Sequence, residues 1–416
     1  MLRCSAALQC ICASNQNVER LIVISNDKRL SVSAKRSTER PHIGAGSGAQ
    51  TRRTSALVFA GGVALGAYEA GAFAALEKAG DPPVKWIAGS SIGAVNAGII
   101  AGNPPEHRLE RLRQFWNSTA FAPMPVTSFW FDTPTTGPMR RAYNWAAVLQ
   151  GHLFGRPGLF HPRLDPSMGI GADDAAGLYD LTPLRKQLAE LIDFGRLNNG
   201  EVRLSVVATD VVTGEAVVFD TARGARIGPE HLVASSALLP VFAPIEVDGR
   251  LLGDGGLTAN APLDVILDER TAEDVVCFVV DLFARDGSRP QSLLDAVARA
   301  QDLVFGNQTD RILEGHRREH RLRAMIDRLA ARLPSEVRED PDIAPAVAEG
   351  QARATIVLHL RRAAVDEIGP GKPFDFSYAT LAERWEAGTR DMHTALQTLE
   401  ALSGDVDAAE LIVREI

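Results

Sequence analysis

Val84-Lys85-Trp86-Ile87-Ala88-Gly89-Ser90-Ser91-Ile92-Gly93 is a short apolar run that ends in glycine, two serines and a second glycine. The apolar run predicts a buried strand, and the residues after it predict a helix. Glycine two residues before and after Ser91 allows a sharp strand-to-helix turn with the serine at its apex. There the hydroxyl would stand at a helix N-terminus, where backbone N–H groups favour developing negative charge. A lone G-x-S-x-G also arises by chance or for close packing, so the rest of the chain must decide.

The composition is that of a globular protein with a large core. The chain has 416 residues, of which 45% are hydrophobic and 23% charged, and its net charge is -8. An acidic body without a long basic stripe argues against nucleic acid as the main partner. The four cysteines, Cys4, Cys10, Cys12 and Cys277, match neither a disulfide framework nor a zinc site. We therefore expect a reducing, cytoplasmic location.

The first 54 residues differ from the rest of the chain. They hold nine Lys and Arg against three Asp and Glu, and they end in a stretch rich in Gly, Ser and Arg. This pattern predicts a disordered basic leader, with an organelle transit peptide as the alternative. Residues 56–76 form the longest weakly charged run, but their glycines favour a strand, a loop and a helix over a membrane span. Peripheral membrane contact remains an open alternative for the surface.

Strand and helix patterns alternate from residue 55 onward. A strand at 56–60, a helix to Ala79, the strand and turn at Ser91 and a helix to Gly102 form a β-α-β-α unit. This order predicts an α/β fold with a mostly parallel central sheet covered by helices. Further strands are predicted at 202–209, 216–220, 275–280 and 355–360, with a hairpin at 245–252 that turns at Asp248-Gly249. Further helices are predicted at 106–116, 181–191, 232–239 and 380–402, with a long helical region at 291–333.

Three regions follow from this reading: the leader at 1–54, a catalytic domain at 55–282 and a mainly helical C-terminal extension at 283–416 that packs on the sheet. Within the second region, residues 117–177 are rich in aromatics, proline and glycine. They predict either a cap that lines an apolar substrate cleft or a loop-rich insertion that packs on the core.

The predicted helix at 291–333 carries many arginines interleaved with apolar residues. Such a helix can lie on an anionic membrane surface. Glu314, Glu319 and Asp327 stand at helical spacing from arginines, which favours a solvated helix packed on the core.

Three weak motifs occur in an informative order: a glycine loop at 61–66, the serine turn at 89–93 and an aspartate between glycines at 253–256. Acyl transfer needs a nucleophile, a base and donors for an oxyanion. Ser91 is the candidate nucleophile, Asp254 can reach its hydroxyl as base, and the glycine loop can supply unshielded N–H donors.

This order resembles the patatin-like phospholipase family. The matching residues are Gly61-Gly62-x-x-x-Gly66-Ala67-Tyr68, Gly89-Ser90-Ser91-Ile92-Gly93 and Asp254-Gly255-Gly256, and the likeness spans about residues 55–282. The resemblance implies a three-layer α/β/α fold and a Ser-Asp dyad without histidine. Ser91 would be the nucleophile and Asp254 the general base, with an oxyanion hole at Gly61, Gly62 and Val63. It also implies lipid ester substrates, phospholipids or other glycerolipids, with no metal and no cofactor.

Two residues depart from the family pattern, which usually has a third glycine and then an arginine in the loop. Here these positions hold Val63 and Leu65. A β-branched residue does not readily adopt the positive φ that glycine allows. Leu65 removes a charge partner near the oxyanion. Both departures bear on the rate more than on the fold.

Other functions compete with the lipid acyl hydrolase. In an α/β-hydrolase esterase, a histidine would follow the acid, and His316, His320, His359 and His393 all lie after Asp254. A patatin fold that has lost catalysis and acts as a regulatory protein is the second alternative, and Val63 is its support. The loop lacks the G-x-G-x-x-G spacing of a dinucleotide site.

Overall fold

The structure is a computed structural model that describes residues 53–121, 137–163, 177–269, 273–350, 353–363, 369–402 and 411–416. The predicted leader, apart from its last two residues, lies outside this described part of the chain. The same holds for residues 122–136 and 164–176 of the predicted cap.

Eleven strands occur in the described residues. They are β1 (Arg53–Phe59), β2 (Val84–Ser90), β3 (His161–Pro162), β4 (Tyr179–Asp180), β5 (Arg203–Asp210), β6 (Ala216–Asp220), β7 (Ile245–Val247), β8 (Arg250–Asp254), β9 (Asp274–Asp281), β10 (Thr355–Arg361) and β11 (Leu411–Glu415). Nine of them form one sheet in the order β11-β10-β9-β1-β2-β5-β8-β7, with β6 also paired to β5, whereas β3 and β4 pair separately.

The sheet is parallel from β11 to β5, and β6, β7 and β8 pair in antiparallel fashion. The central strands are buried along almost their whole length, as expected for parallel strands covered on both faces. The predicted α/β class with a mostly parallel central sheet is thereby confirmed. Residues beyond 283 contribute β10 and β11 to this sheet.

Thirteen helices surround the sheet in the described residues. They are α1 (Ala67–Ala79), α2 (Ile92–Ala101), α3 (Pro105–Thr119), α4 (Gly137–Phe154), α5 (Thr182–Leu191), α6 (Phe194–Asn199), α7 (Pro229–Ser235), α8 (Asp264–Leu267), α9 (Leu293–Gly306), α10 (Gln308–Ala330), α11 (Ser335–Arg338), α12 (Ala344–Gly350) and α13 (Tyr378–Leu402). Within the described residues, no helix is both long and apolar enough to cross a bilayer.

Some element boundaries were predicted wrongly. The helical region expected at 291–333 contains two helices: α9 ends at Gly306, where an added Cβ would lie 2.8 Å from the Phe283 carbonyl oxygen, and α10 begins at Gln308. The helix expected at 232–239 begins earlier, with Pro229 as its first residue, and ends at Ser235. Strand β11 was not predicted, because a five-residue edge strand carries little periodicity.

Strand β5 places the serine turn beside the aspartate. Its residues 203–207 pair with β2, and its residues 205–209 pair with β6 on the opposite edge. Strand β8 pairs with residues 208–210 of β5. It lies on the same edge of β5 as β2, beyond the residue where β2 ends. Ser90 therefore lies opposite Val207, and Asp254 lies opposite the next residue, Ala208. The chain reaches Asp254 directly beside the end of β2.

Helices α1 and α13 cross at a contact between two glycines and the facing backbones. A Cβ added to Gly71 would lie 1.9 Å from the Trp385 carbonyl oxygen, and one added to Gly388 would lie 1.9 Å from the Tyr68 carbonyl oxygen. Thr389 Oγ1 donates a hydrogen bond of 3.0 Å to the Gly71 carbonyl across the same crossing. The two helices can approach this closely only because neither glycine carries a side chain.

We expect Gly388→Ala to lower the free energy of unfolding by about 1–3 kcal/mol, because the new methyl group must push two backbones apart. Gly315→Ala is the matched control, since nothing lies within 4 Å of an added Cβ at that helical position. The control should raise the free energy of unfolding by about 0.5–1 kcal/mol. Urea unfolding midpoints measure both changes, and shifts in the same direction would contradict the close crossing.

Candidate active site

The serine turn has the strained geometry that its sequence predicts. Ser91 follows β2 and precedes α2, with φ 55° and ψ -127°, a conformation that is costly for a residue other than glycine. Ser91 N–H donates to Ser235 Oγ at 2.9 Å, and Ser235 Oγ donates to the Val207 carbonyl at 2.6 Å. These buried hydrogen bonds tie the turn to β5 and hold the strained residue in place.

The two glycines of the motif are required for space. A Cβ added to Gly89 would lie 2.6 Å from the carbonyl carbon of Gly93, and one added to Gly93 would lie 2.5 Å from the Phe59 carbonyl oxygen. Helix α2 therefore starts in direct backbone contact with β1 and β2. This contact aims the N-terminus of α2 at the end of the sheet where Ser91 lies.

Asp254 is buried and fully engaged beside the serine. Its Oδ2 accepts a hydrogen bond of 2.5 Å from Ser91 Oγ, and its Oδ1 accepts one of 2.7 Å from Gly256 N–H. Thr209 Oγ1 donates to the Asp254 carbonyl at 2.8 Å. Gly255 lets this turn lie against β5, because an added Cβ there would be 2.1 Å from the Val207 carbonyl oxygen. The two residues predicted as nucleophile and base are thus brought together.

The glycine loop lies on the other side of Ser91. Gly61 N–H donates to the Asn260 carbonyl at 3.0 Å, so this group holds the loop in place. Within the described residues, the N–H groups of Gly62 and Val63 carry no hydrogen bond. Val63 has φ 53°, the left-handed conformation that a β-branched residue adopts only at a cost. Gly66 packs on Ile92, and Leu65 is wholly buried in the core.

A small, mostly apolar cavity of about 50 Å³ lies over the serine and the aspartate. Its polar lining comes from the serine turn, the glycine loop, Asn260 and Gln301. Its apolar lining comes from four separate segments and comprises Leu238, Phe283, Phe305, Pro373 and Phe374. A hydroxyl, a carboxylate and two unengaged N–H groups therefore meet beside a mostly apolar lining, an arrangement suited to acyl transfer.

A family model described as "Patatin-like phospholipase" matches residues 57–267, which is half of the chain. The chain belongs to the patatin-like phospholipase family. A second model, described as "Patatin phospholipase", matches residues 303–405, so the family likeness extends to α10, β10 and α13.

Curated relatives of this patatin-like chain include uncharacterized NTE family proteins of Mycobacterium bovis and Mycobacterium tuberculosis. Each is 29% identical over 210 residues, which cover 50% of this chain and 44% of the relative. The match thus spans less than half the length of these mycobacterial proteins.

Solved structures of similar fold include VipD from Legionella pneumophila, with a TM-score of 0.38 and 14% identity over 83% of this chain and 67% of that one. Human GIVD cytosolic phospholipase A2 has a TM-score of 0.37 and 13% identity over 84% of this chain and 59% of that one.

Some residues of this patatin-like site were not predicted. Ser235, which binds the backbone of the serine turn, lies in a helix of small residues and carries no motif. Phe283 follows the end of β9, so the rule that sites form at the carboxyl ends of parallel strands could have found it. Phe305 and Phe374 come from distant segments, and only the tertiary structure brings them to the cavity.

None of the described histidines lines the cavity. His359 is wholly buried and its Nε2 lies 2.7 Å from Asp281 Oδ2, whereas His316 Nε2 lies 3.1 Å from Asp264 Oδ1. The structure therefore offers no histidine to complete a triad with Ser91 among the described residues.

One group of acidic and histidine side chains has the spacing of metal ligands: Asp310, His359 and Glu415. The guanidinium of Arg361 bonds to two of them, with Nη2 2.7 Å from Asp310 and 3.0 Å from Glu415. Because a cation already bridges these carboxylates, the group is an ion-pair network of the sheet edge.

Burial raises the pKa of Asp254 from its ordinary 3.8 to about 6, against the opposing effect of the hydrogen bonds from Ser91 and Gly256. Ionised Asp254 is thus disfavoured in the folded protein. The free energy that this group contributes to stability is fully present only well below pH 3.8, where it is protonated in both states. It is lost as the pH rises through about 6.

We therefore expect Asp254→Asn, which cannot ionise, to gain stability relative to the wild type as the pH rises. Between pH 4.5 and 7.5 the difference in free energy of unfolding should increase by about 2 kcal/mol. Urea unfolding of both proteins across this range measures it. A difference that is independent of pH would show that the pKa of Asp254 is not raised.

Proposed function

We propose that this patatin-like protein is a serine acyl hydrolase that cleaves acyl esters of lipids through Ser91 and Asp254. The single observation that carries the proposal is the 2.5 Å hydrogen bond between Ser91 Oγ and Asp254 Oδ2 under an apolar cavity. Membership of the phospholipase family supports lipid esters as the substrate class.

Acylation begins with attack of Ser91 Oγ on the ester carbonyl carbon, while its proton passes to Asp254 Oδ2. The carbonyl oxygen becomes an oxyanion, and the N–H groups of Gly62 and Val63 together with the N-terminus of α2 stabilise it. Gly61 N–H is already bonded to Asn260, so the proposal narrows the donors from three residues to these two. Collapse of the intermediate expels the alcohol, which takes the proton from Asp254, and leaves an acyl-Ser91 ester.

Deacylation repeats these steps with water as the nucleophile. Asp254 accepts a proton from the attacking water, and the same N–H groups hold the second oxyanion. Ser91 Oγ then leaves with that proton, and the carboxylic acid is released. A base whose pKa lies near 6 suits both directions of transfer, because it is ionised at neutral pH and still basic enough to accept a proton.

We expect Ser91→Ala and Asp254→Asn each to lower kcat/KM for a p-nitrophenyl butyrate ester by about 10⁴-fold or more, because each removes a participant in proton transfer. Ser236→Ala is the matched control, since its hydroxyl bonds only to the Leu232 carbonyl within its own segment. Circular dichroism checks the fold of each variant. Retained turnover in either dyad variant, with the control active, would refute the assignment.

A fluorophosphonate probe distinguishes a catalytic Ser91 from a patatin fold that has lost catalysis, and alanine replacement of histidines tests for a triad. It should label Ser91 in the wild type and label nothing at that position in Ser91→Ala. Absence of labelling in folded wild-type protein would favour a patatin fold without catalysis. Loss of hydrolysis on single replacement of His316, His320, His359 or His393 by alanine would favour a triad.

The pH dependence of kcat/KM tests the role of Asp254 separately. We expect a single ionisation with a midpoint at about pH 6, below which the rate falls about tenfold per pH unit as the base becomes protonated. Hydrolysis of a soluble ester between pH 4.5 and 8.5, with stability checked at each pH, gives this profile. A rate that stays flat down to pH 5 would exclude a base with a raised pKa.

A further inference from the structure

Helix α10 exposes an apolar stripe that nothing in the proposed reaction uses. Its inward side buries Thr309, Leu313 and His316. On its outward side, Leu322 is 56% exposed, Met325 46% and Leu329 64%. Spacings of three and four residues place these side chains on one side of the helix. Large apolar side chains aligned on one exposed face are typical of an interaction surface.

Arginines lie on the same exposed side of α10. We call this side the docking face; it consists of the stripe Leu322, Met325 and Leu329 together with the exposed Arg311, Arg318, Arg321 and Arg328, and the exposed Glu314 also lies on it.

The docking face keeps most of its charge free. Arg318 pairs with Glu314 at 3.7 Å, and both side chains are well exposed, so the pair is weak. In the described part of the chain, the other three arginines of the face form no ion pair. Glu319 is engaged with Arg323 at 2.6 Å, and Arg323 is largely covered and also approaches Glu349. The predicted acidic partners therefore neutralise only a small part of the face.

The chemistry of the face favours an anionic lipid surface over other occupants. A second copy of the chain would bring four arginines against four arginines, and like charges oppose such a contact. A nucleic acid would match the arginines and leave the leucines and methionine without an apolar partner. At a lipid surface the apolar side chains enter the headgroup boundary while arginines contact phosphates, which satisfies both.

The docking face is connected to the active site through the first turn of its helix. Gln308 Oε1 accepts a hydrogen bond of 2.8 Å from Asn260 N–H, and Gln308 Nε2 donates one of 3.3 Å to the Gly256 carbonyl. Helix α10 thus begins at the loop that follows Asp254. Helix α9, which precedes it, contributes Phe305 to the cavity wall and also exposes apolar side chains, Leu293 at 80% and Val304 at 59%.

We propose that the docking face of α10 binds the surface of anionic lipid membranes and so holds the active-site cavity near its substrate. Binding of the docking face to a membrane requires no hydrolysis. Only the role given to this binding, to hold the cavity near a lipid substrate, rests on the proposed function. Each arginine near an anionic surface contributes a factor of about five to the partition coefficient at low salt. Replacing two arginines by glutamate should therefore weaken binding by more than about tenfold.

The test is cosedimentation of the full chain with vesicles, in the Ser91→Ala background so that no lipid is cleaved. One set of vesicles contains phosphatidylcholine with 30% phosphatidylglycerol, and the other phosphatidylcholine alone. The variants are Arg321→Glu with Arg328→Glu, and Leu322→Gln with Leu329→Gln. Lys78→Glu with Lys85→Glu is the matched control: it changes the charge equally, at exposed positions in the last turn of α1 and at the start of β2, the sheet end opposite Ser91.

We expect binding to the anionic vesicles that falls with added salt, is lost in both α10 variants and is retained in the control. Circular dichroism spectra and urea unfolding midpoints of the α10 variants should stay at the wild-type values, which shows that they fold. Equal loss in the control, equal binding to both kinds of vesicle, or no binding at all would each overturn the proposal. A change in oligomeric state instead, measured by light scattering, would assign the face to a second copy. None of these results depends on whether Ser91 is catalytic.

Discussion

The backbone contact between Gly93 and Phe59 fixes how closely α2 lies against β1, and the candidate site depends on that distance. Because Gly93 has no side chain, the first turn of α2 lies directly over the end of the strand. The chain must then turn within one residue between β2 and α2, and this residue is Ser91, with its positive φ. The position of the Ser91 hydroxyl and the orientation of the helix N-terminus are therefore consequences of one packing constraint.

The position of the base follows from how strands share the edge of β5. A parallel strand, β2, ends at Ser90, and an antiparallel strand, β8, continues on the same edge. Two strands of opposite direction thus bring their last residues to one place. This arrangement lets an aspartate reach the serine hydroxyl without a histidine between them. In a triad, a histidine lies between the acid and the nucleophile. Here the acid and the nucleophile are joined directly by a hydrogen bond of 2.5 Å.

Much of this architecture could be predicted from the sequence, because its signals are local. The glycines at 89 and 93 indicate the turn, and the uninterrupted apolar runs of β1, β9 and β10 indicate buried parallel strands. The role of Asp254 could be inferred only together with the other motifs, since an aspartate between glycines is common.

The rest of the site depends on tertiary contacts that leave no local pattern. The cavity wall combines Leu238, Phe305 and Phe374, which are far apart in the sequence. Helix α9 ends at Gly306, which packs closely against the Phe283 backbone, and the helical periodicity hardly changes there. The left-handed conformation of Val63 likewise runs against its intrinsic preference, so the surrounding fold must impose it.

Net charge and local charge act in opposite directions in this protein. A chain with a net charge of -8 is repelled by an anionic lipid surface when it is more than a few ångströms away. Because salt screens charges beyond about 8 Å, the groups nearest the surface decide the orientation once contact is made. On α10 the exposed charges nearest the stripe are arginines, whereas the acidic residues lie mainly on the rest of the body. In the proposed membrane contact, the local positive charge of this face therefore outweighs the repulsion from the rest of the body.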